Sequence, residues 1–104
     1  MKIIETDKAP AAFSNYAQAT ETPPGARLVH ISGQVGLDRD GNLPPDFEGQ
    51  ARWSFRNVIA MAEAAGMTRN DIAKVTVYLT RQQDVASYRK VRDEELGVTT
   101  GSTL

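Results

Sequence analysis

The chain has 104 residues, and its 12 basic and 13 acidic side chains leave a net charge of −1. That balance argues against a protein held to nucleic acid by phosphate contacts, which calls for a basic excess. The absence of cysteine rules out a disulfide framework, a thiolate metal site and a cysteine nucleophile. No apolar run approaches the ~18 residues of a membrane span. The opening MKIIETDKAPAAF has no continuous apolar core and does not read as a secretory leader. One domain over residues 1–104, cytoplasmic, with no nucleic acid and no membrane as partner, is the expectation.

In chain order, KIIE at 2–5 is short and β-branched and predicts an edge strand. NYAQATET predicts a second strand, weakened by its alanines, and PPGA at 23–26 predicts a turn. RLVHISGQVGL from Arg27 predicts a third strand, closed by the hairpin-type turn DRDGN at 38–42. From Phe47 the apolar period changes. Phe47, Ala51, Phe55, Val58, Ala62 and Ala65 recur in steps of three and four, one face of a helix. Asp46 is the predicted N-cap and Gly66 the predicted C-cap. IAKVTVYLT from Ile72 alternates, with Ala73, Val75, Val77 and Leu79 facing one way. A second helix is predicted over Asp84–Leu96, with Val85, Tyr88 and Val91 inward. The order β-β-β-α-β-α, then the start of another strand, predicts an α/β (α+β) domain, a mixed sheet with two helices packed on one face.

The stretch HISGQVGLDRDGNL places a Ser32-Gly33 pair where a strand should carry bulky side chains. Either a ligand approaches the backbone there and Ser32 bonds it, or Gly33 is a bulge or packing glycine. His30 shares a strand face with Ser32, which raises general-base chemistry, but no second catalytic group is visibly paired with it. One histidine and scattered carboxylates give no metal-ligand spacing. Glu94 and Glu95 are helix neighbours that do not face each other, so they are not an acid/base pair. Trp53 lies off the apolar stripe, at a subunit contact or on the surface.

APAAFSNYAQA, ISGQVGLDRDGNL, QARWSFRNVIAMAEAAGM, DIAKVTVYLT and DVASYRKV occur in the order and spacing of the Rid/YjgF family. The chain resembles that family from about residue 8 to its end. The resemblance implies a chorismate-mutase-like fold, a homotrimer with the sheets lining a central barrel, and ligand clefts between subunits. It also implies hydrolysis of 2-imino or 2-enamino acids to 2-keto acids and ammonia, without a cofactor.

On the same grounds, Ser32 and Gly33 would floor the cleft and Tyr16 would cover the ligand. Ser14-Asn15 stands where the family usually has Gly-Pro. The family's asparagine on the second helix corresponds to Arg89, which could bind a carboxylate bidentately or pair with Asp93 at i+4. The arginine that clamps the substrate carboxylate is replaced by Gly101, in TTGSTL. A glutamate on a later family strand has no counterpart before Leu104, so the domain is expected to lack the final strands and to expose an edge. Two functions stay open. One is an imine/enamine deaminase or a diverged relative acting on small carbonyl metabolites; the other is a small-molecule-binding trimer without deaminase activity.

Overall fold

A computed structural model describes residues 1–12 and 14–97. The N-terminal strands form within the predicted stretches but are shorter, and residues 15–18 of the second lie outside the ladder. β1 (Lys2–Ile4) runs antiparallel to β2 (Ala19–Glu21), with Lys2, Ile3 and Ile4 opposite Glu21, Thr20 and Ala19. The loop between them is organised by one side chain. Gln18 Oε1 accepts from the Thr6 amide at 2.7 Å, and its Nε2 donates to the Pro10 carbonyl at 2.8 Å and the Thr6 carbonyl at 3.2 Å. The predicted PPGA turn closes through Ala26 N–H on Pro23 C=O at 3.2 Å, with Gly25 at φ +75°.

α1 (Phe47–Ala64) begins where Asp46 Oδ1 accepts from the Gly49 amide at 3.0 Å, as its N-cap position predicts. It ends one residue earlier than Gly66. Ala65 is the cap, and Gly66, at φ +77°, supplies the left-handed residue just past it. The Met67 amide reaches back to Ala62 C=O and the Gly66 amide to Glu63 C=O, both at 2.9 Å, which is a Schellman motif. α2 (Val85–Leu96) starts one residue later than predicted. Asp84 closes a 3₁₀ turn before it and spends its carboxylate on Arg81, at 3.0 and 3.2 Å, rather than on the helix amides. The core is Phe55, Tyr88, Val91 and Leu96, flanked by Phe47, Ala51, Ile59, Ile72, Val75 and Leu79. Phe55 and Tyr88 stack at 5.9 Å between α1 and α2.

Two predicted strands differ from expectation. Residues 27–37 and 72–80 form no ladder among the described residues; Val75 is an isolated bridge. A ladder needs a second edge about 4.8 Å away, and what meets these segments is side chain and, beside Gly36, the backbone of α1 at Gln50. The carbonyls of Val35 and Leu37 accept from Asn57 Nδ2 of α1 at 3.1 and 3.0 Å, and the Ala73 carbonyl from Thr20 Oγ1 at 3.1 Å. The alternation in 72–79 still holds in part. Val75 and Leu79 pack on the core and Tyr78 is exposed, as the alternation predicts, while Ile72 packs on the core and Val77 is exposed against it. Leu28 and Val35 are 69% and 66% exposed, so the 27–37 segment offers an uncovered apolar face. The class is α+β: two helices and a small sheet.

Candidate functional site

Residues 14–16 make a tight bend, closed by the Tyr16 amide on the Ser14 carbonyl at 2.9 Å. Both residues before Tyr16 reach across to the C-terminal half of α2. Arg92 Nη2 donates to Ser14 Oγ at 2.7 Å. Asn15 Nδ2 donates to Asp93 Oδ1 at 3.2 Å and to the Gly97 carbonyl at 3.1 Å. Asp93 Oδ1 also accepts from Arg92 Nε at 3.1 Å. Arg92 lies on the inward stripe, four residues after Tyr88 and four before Leu96, and is 1% exposed, with its guanidinium 5.8 Å from the Tyr88 ring centre. Sequence reasoning missed it because a long charged side chain at that position usually reaches water. Two signals were available: the spacing of Arg92 from Tyr88, and the replacement of Gly-Pro by two hydrogen-bonding side chains at 14 and 15.

Tyr16 is half-buried and lines a groove of about 320 Å³ with Ile4, Thr6, Pro10, Gln18 and Ala19. An aromatic ring with a hydroxyl, one amide side chain and a mostly apolar wall suit a small organic ligand with one or two polar atoms. Ser32 and Gly33 are exposed and do not line this groove. A Cβ added at Gly33 would meet no atom within 4 Å. In the single chain Gly33 is therefore not a packing glycine, and its backbone is open to approach. Arg89 is half-buried on α2, outside the groove. The Asp93 carboxylate accepts from Arg92 and Asn15. Gly101 lies outside the described residues. His30 is exposed, on no groove wall.

A second groove, of about 430 Å³, lies on the outer face of α1 among Arg39, Trp53, Arg56, Asn57, Glu63 and Arg69. Trp53, which the sequence left between a subunit contact and the surface, is half-buried there under the Arg56 guanidinium at 5.4 Å. Nearby, Arg52 clamps the two helices together. It donates to Glu94 at 2.7 Å and Glu95 at 2.9 Å on α2, and to Glu48 at 3.2 Å on its own helix. Those bonds, Glu94 first, raise the guanidinium's pKa above its ordinary value. Glu94 and Glu95 are thus joined through a shared cation, not to each other. Burial raises the Tyr88 phenol above its ordinary pKa, against a smaller opposite pull from Arg92. The Tyr88 hydroxyl and Arg92 Nη1 are buried without a hydrogen-bond partner among the described residues. Among the described residues no three histidine or carboxylate groups cluster as a metal site, and no helix is long and apolar enough to cross a membrane.

A family model described as "Endoribonuclease L-PSP" matches residues 6–100. A RutC family protein of Haemophilus influenzae is 42% identical over 87 residues, 83% of this chain and 65% of that one. The 2-iminobutanoate/2-iminopropanoate deaminase of Escherichia coli K12 is 38% identical over 87 residues, 83% of this chain and 66% of that one. The chain thus spans about two thirds of these relatives' length. The crystal structure of E. coli TdcF with bound serine superposes with a TM-score of 0.67 at 36% identity, covering 99% of this chain and 83% of that one. With one family model spanning nearly the whole chain and relatives agreeing in sequence and in fold, the chain belongs to the Rid/YjgF family.

Proposed function

We propose that this protein acts on small imine, enamine or carbonyl metabolites, hydrolysing a 2-imino acid to a 2-keto acid and ammonia. Water adds to the C=N carbon, and the tetrahedral aminoalcohol collapses to C=O and expels ammonia. The observation that carries the reading is Tyr16 on the wall of a mostly apolar groove of about 320 Å³, in a chain of this family. Its phenol hydroxyl can orient a ligand or a water beside the mostly apolar wall. The site becomes complete in a homotrimer, where the exposed Ser32-Gly33 backbone of one subunit floors a cleft against another. The mixed sheet forms in the same assembly, with residues 27–37 and 72–80 as strands beside β1 and β2. Exposed Leu28, Val29 and Val35 support this, since burying them is the hydrophobic gain an assembly would make. By its family correspondence, Arg89 is the candidate cation for a substrate carboxylate. No cofactor takes part, and the protein works in the cytoplasm.

A second reading rests on Gly101. Without a guanidinium at that position a carboxylate loses a charge-assisted clamp, and the trimer would bind its small molecule without deaminating it. The two readings separate when 2-iminobutanoate is generated in situ and its loss is followed. Acceleration by the wild-type chain supports the deaminase. No acceleration by the wild type, with acceleration by Gly101→Arg, supports the binding protein. No acceleration by either defeats the imine reading.

A further inference from the structure

We propose that Ser14 and Asn15 are positioning residues for Tyr16, acting through Arg92 and Asp93 as a latch that docks the Tyr16 bend onto α2. The proposal rests on Tyr16 being a ligand-contacting residue, as above. The latch ties residues far apart in sequence: Ser14 and Arg92 are 78 positions apart, and Asn15 and Gly97 are 82 apart. Its central bond, Arg92 Nη2 to Ser14 Oγ at 2.7 Å, comes from a guanidinium 1% exposed, so water competes little with it. Asp93 Oδ1 accepts from both Arg92 Nε and Asn15 Nδ2 and joins the two halves of the latch.

The geometry on the other side of Tyr16 completes the case. Gln18, two residues on, is fixed by three bonds to the 6–10 loop. Tyr16 therefore sits between two anchored residues, with Asn15 tied to α2 and Gln18 tied to the opposite wall of the groove. Asn15 also holds the Gly97 carbonyl, at the point where the chain leaves α2 toward Gly101. Loosening the latch frees the bend on the α2 side, and Tyr16 loses its fixed direction into the groove while the helices keep their core. A small residue or a proline at 14 and 15 could not make these bonds, so the two side chains have a use that their types alone do not reveal.

The test is Ser14→Ala, with Ser14→Thr to restore the hydroxyl and Tyr16→Phe as the background in a double-mutant cycle. In imine hydrolysis, Ser14→Ala should raise KM about tenfold, the order expected for a lost hydrogen bond to a charged group, with kcat changed far less. Ser14→Thr should recover most of the loss. In the Tyr16→Phe background Ser14→Ala should add less than about twofold, because the residue it positions no longer offers its hydroxyl. An equal factor in both backgrounds, or no change in the folded variant, overturns the latch. Asn15→Ala repeats the test without emptying the space beside the buried guanidinium. If the wild type turns over no imine, the functional reading fails instead, and hydrogen exchange decides the latch. Ser14→Ala should then speed exchange at the Tyr16 amide about tenfold with α1 core amides unchanged. Unchanged or uniformly faster exchange overturns it.

Discussion

Gly36 lies against the backbone of Gln50 so closely that a Cβ at 36 would sit 2.6 Å from Gln50 Cα and 2.7 Å from its carbonyl carbon. The obstructing atoms are helix backbone and cannot rotate aside. Gly36→Ala should therefore push the 27–37 segment off α1 and destabilise the fold by about 1–3 kcal/mol. Gly33→Ala, where a Cβ meets nothing, should change stability by less than about 0.5 kcal/mol. Urea denaturation of the two variants checks the contrast.

Arg52 holds Glu94 and Glu95 of α2 from α1. Arg52→Ala leaves those carboxylates facing Glu48 without their shared cation and should cost about 1–2 kcal/mol, less at high salt because the cluster is partly exposed. Arg52→Lys keeps the charge but not the fork and should fall between. Denaturation midpoints at low and high salt measure both effects. The pKa of Arg52 is raised, so it stays charged on both sides of neutrality and the contribution is fully present there.

Tyr88 carries a buried hydroxyl with no hydrogen-bond partner among the described residues, on a ring that stacks on Phe55. Tyr88→Phe keeps the ring and deletes the orphan group, so near pH 7 it should be neutral or stabilising by up to about 1 kcal/mol. The sign reverses nothing at high pH but changes the slope. Burial raises the folded pKa, so above about pH 10 the unfolded chain releases this proton first. Stability then falls as pH rises through the folded pKa. The wild type should lose more stability than Tyr88→Phe between about pH 9 and pH 11, as urea melts across that range would read.

The exposed Leu28, Val29 and Val35 should be covered by other copies. Light scattering should give a mass three times that of the 11.4 kDa chain. A monomer mass at micromolar concentration would contradict the trimer.

The helices were legible because their signals are local: a 3.6-residue apolar stripe, Asp46 before it and Gly66 after it. The turns at 23–26 and 38–42 were legible for the same reason; Asp38 Oδ1 accepts from the amides of Asp40 and Asn42, both at 2.9 Å, and Gly41 takes φ +83°. β-branched residues in 27–37 predicted a strand, but pairing depends on what lies alongside, which periodicity does not encode. In HISGQVGL the Ser-Gly pair singles out Gly33, while the glycine that packing requires is Gly36, three residues on. Tyr16 came from family resemblance, which also marked Ser14-Asn15 as a departure, but the bonds that join Ser14 and Asn15 to Arg92 and Asp93 came only from the three-dimensional arrangement. Long-range side-chain bonds leave no period in a sequence.

The decisive quantity is the rate of 2-iminobutanoate loss with the wild type and with Tyr16→Phe, at equal concentration and equal folded fraction. If ligand is handled at the Tyr16 groove, the wild type accelerates hydrolysis and deleting the one hydroxyl lowers kcat/KM by about tenfold or more. Wild-type acceleration that survives Tyr16→Phe undiminished would place the chemistry elsewhere in the molecule.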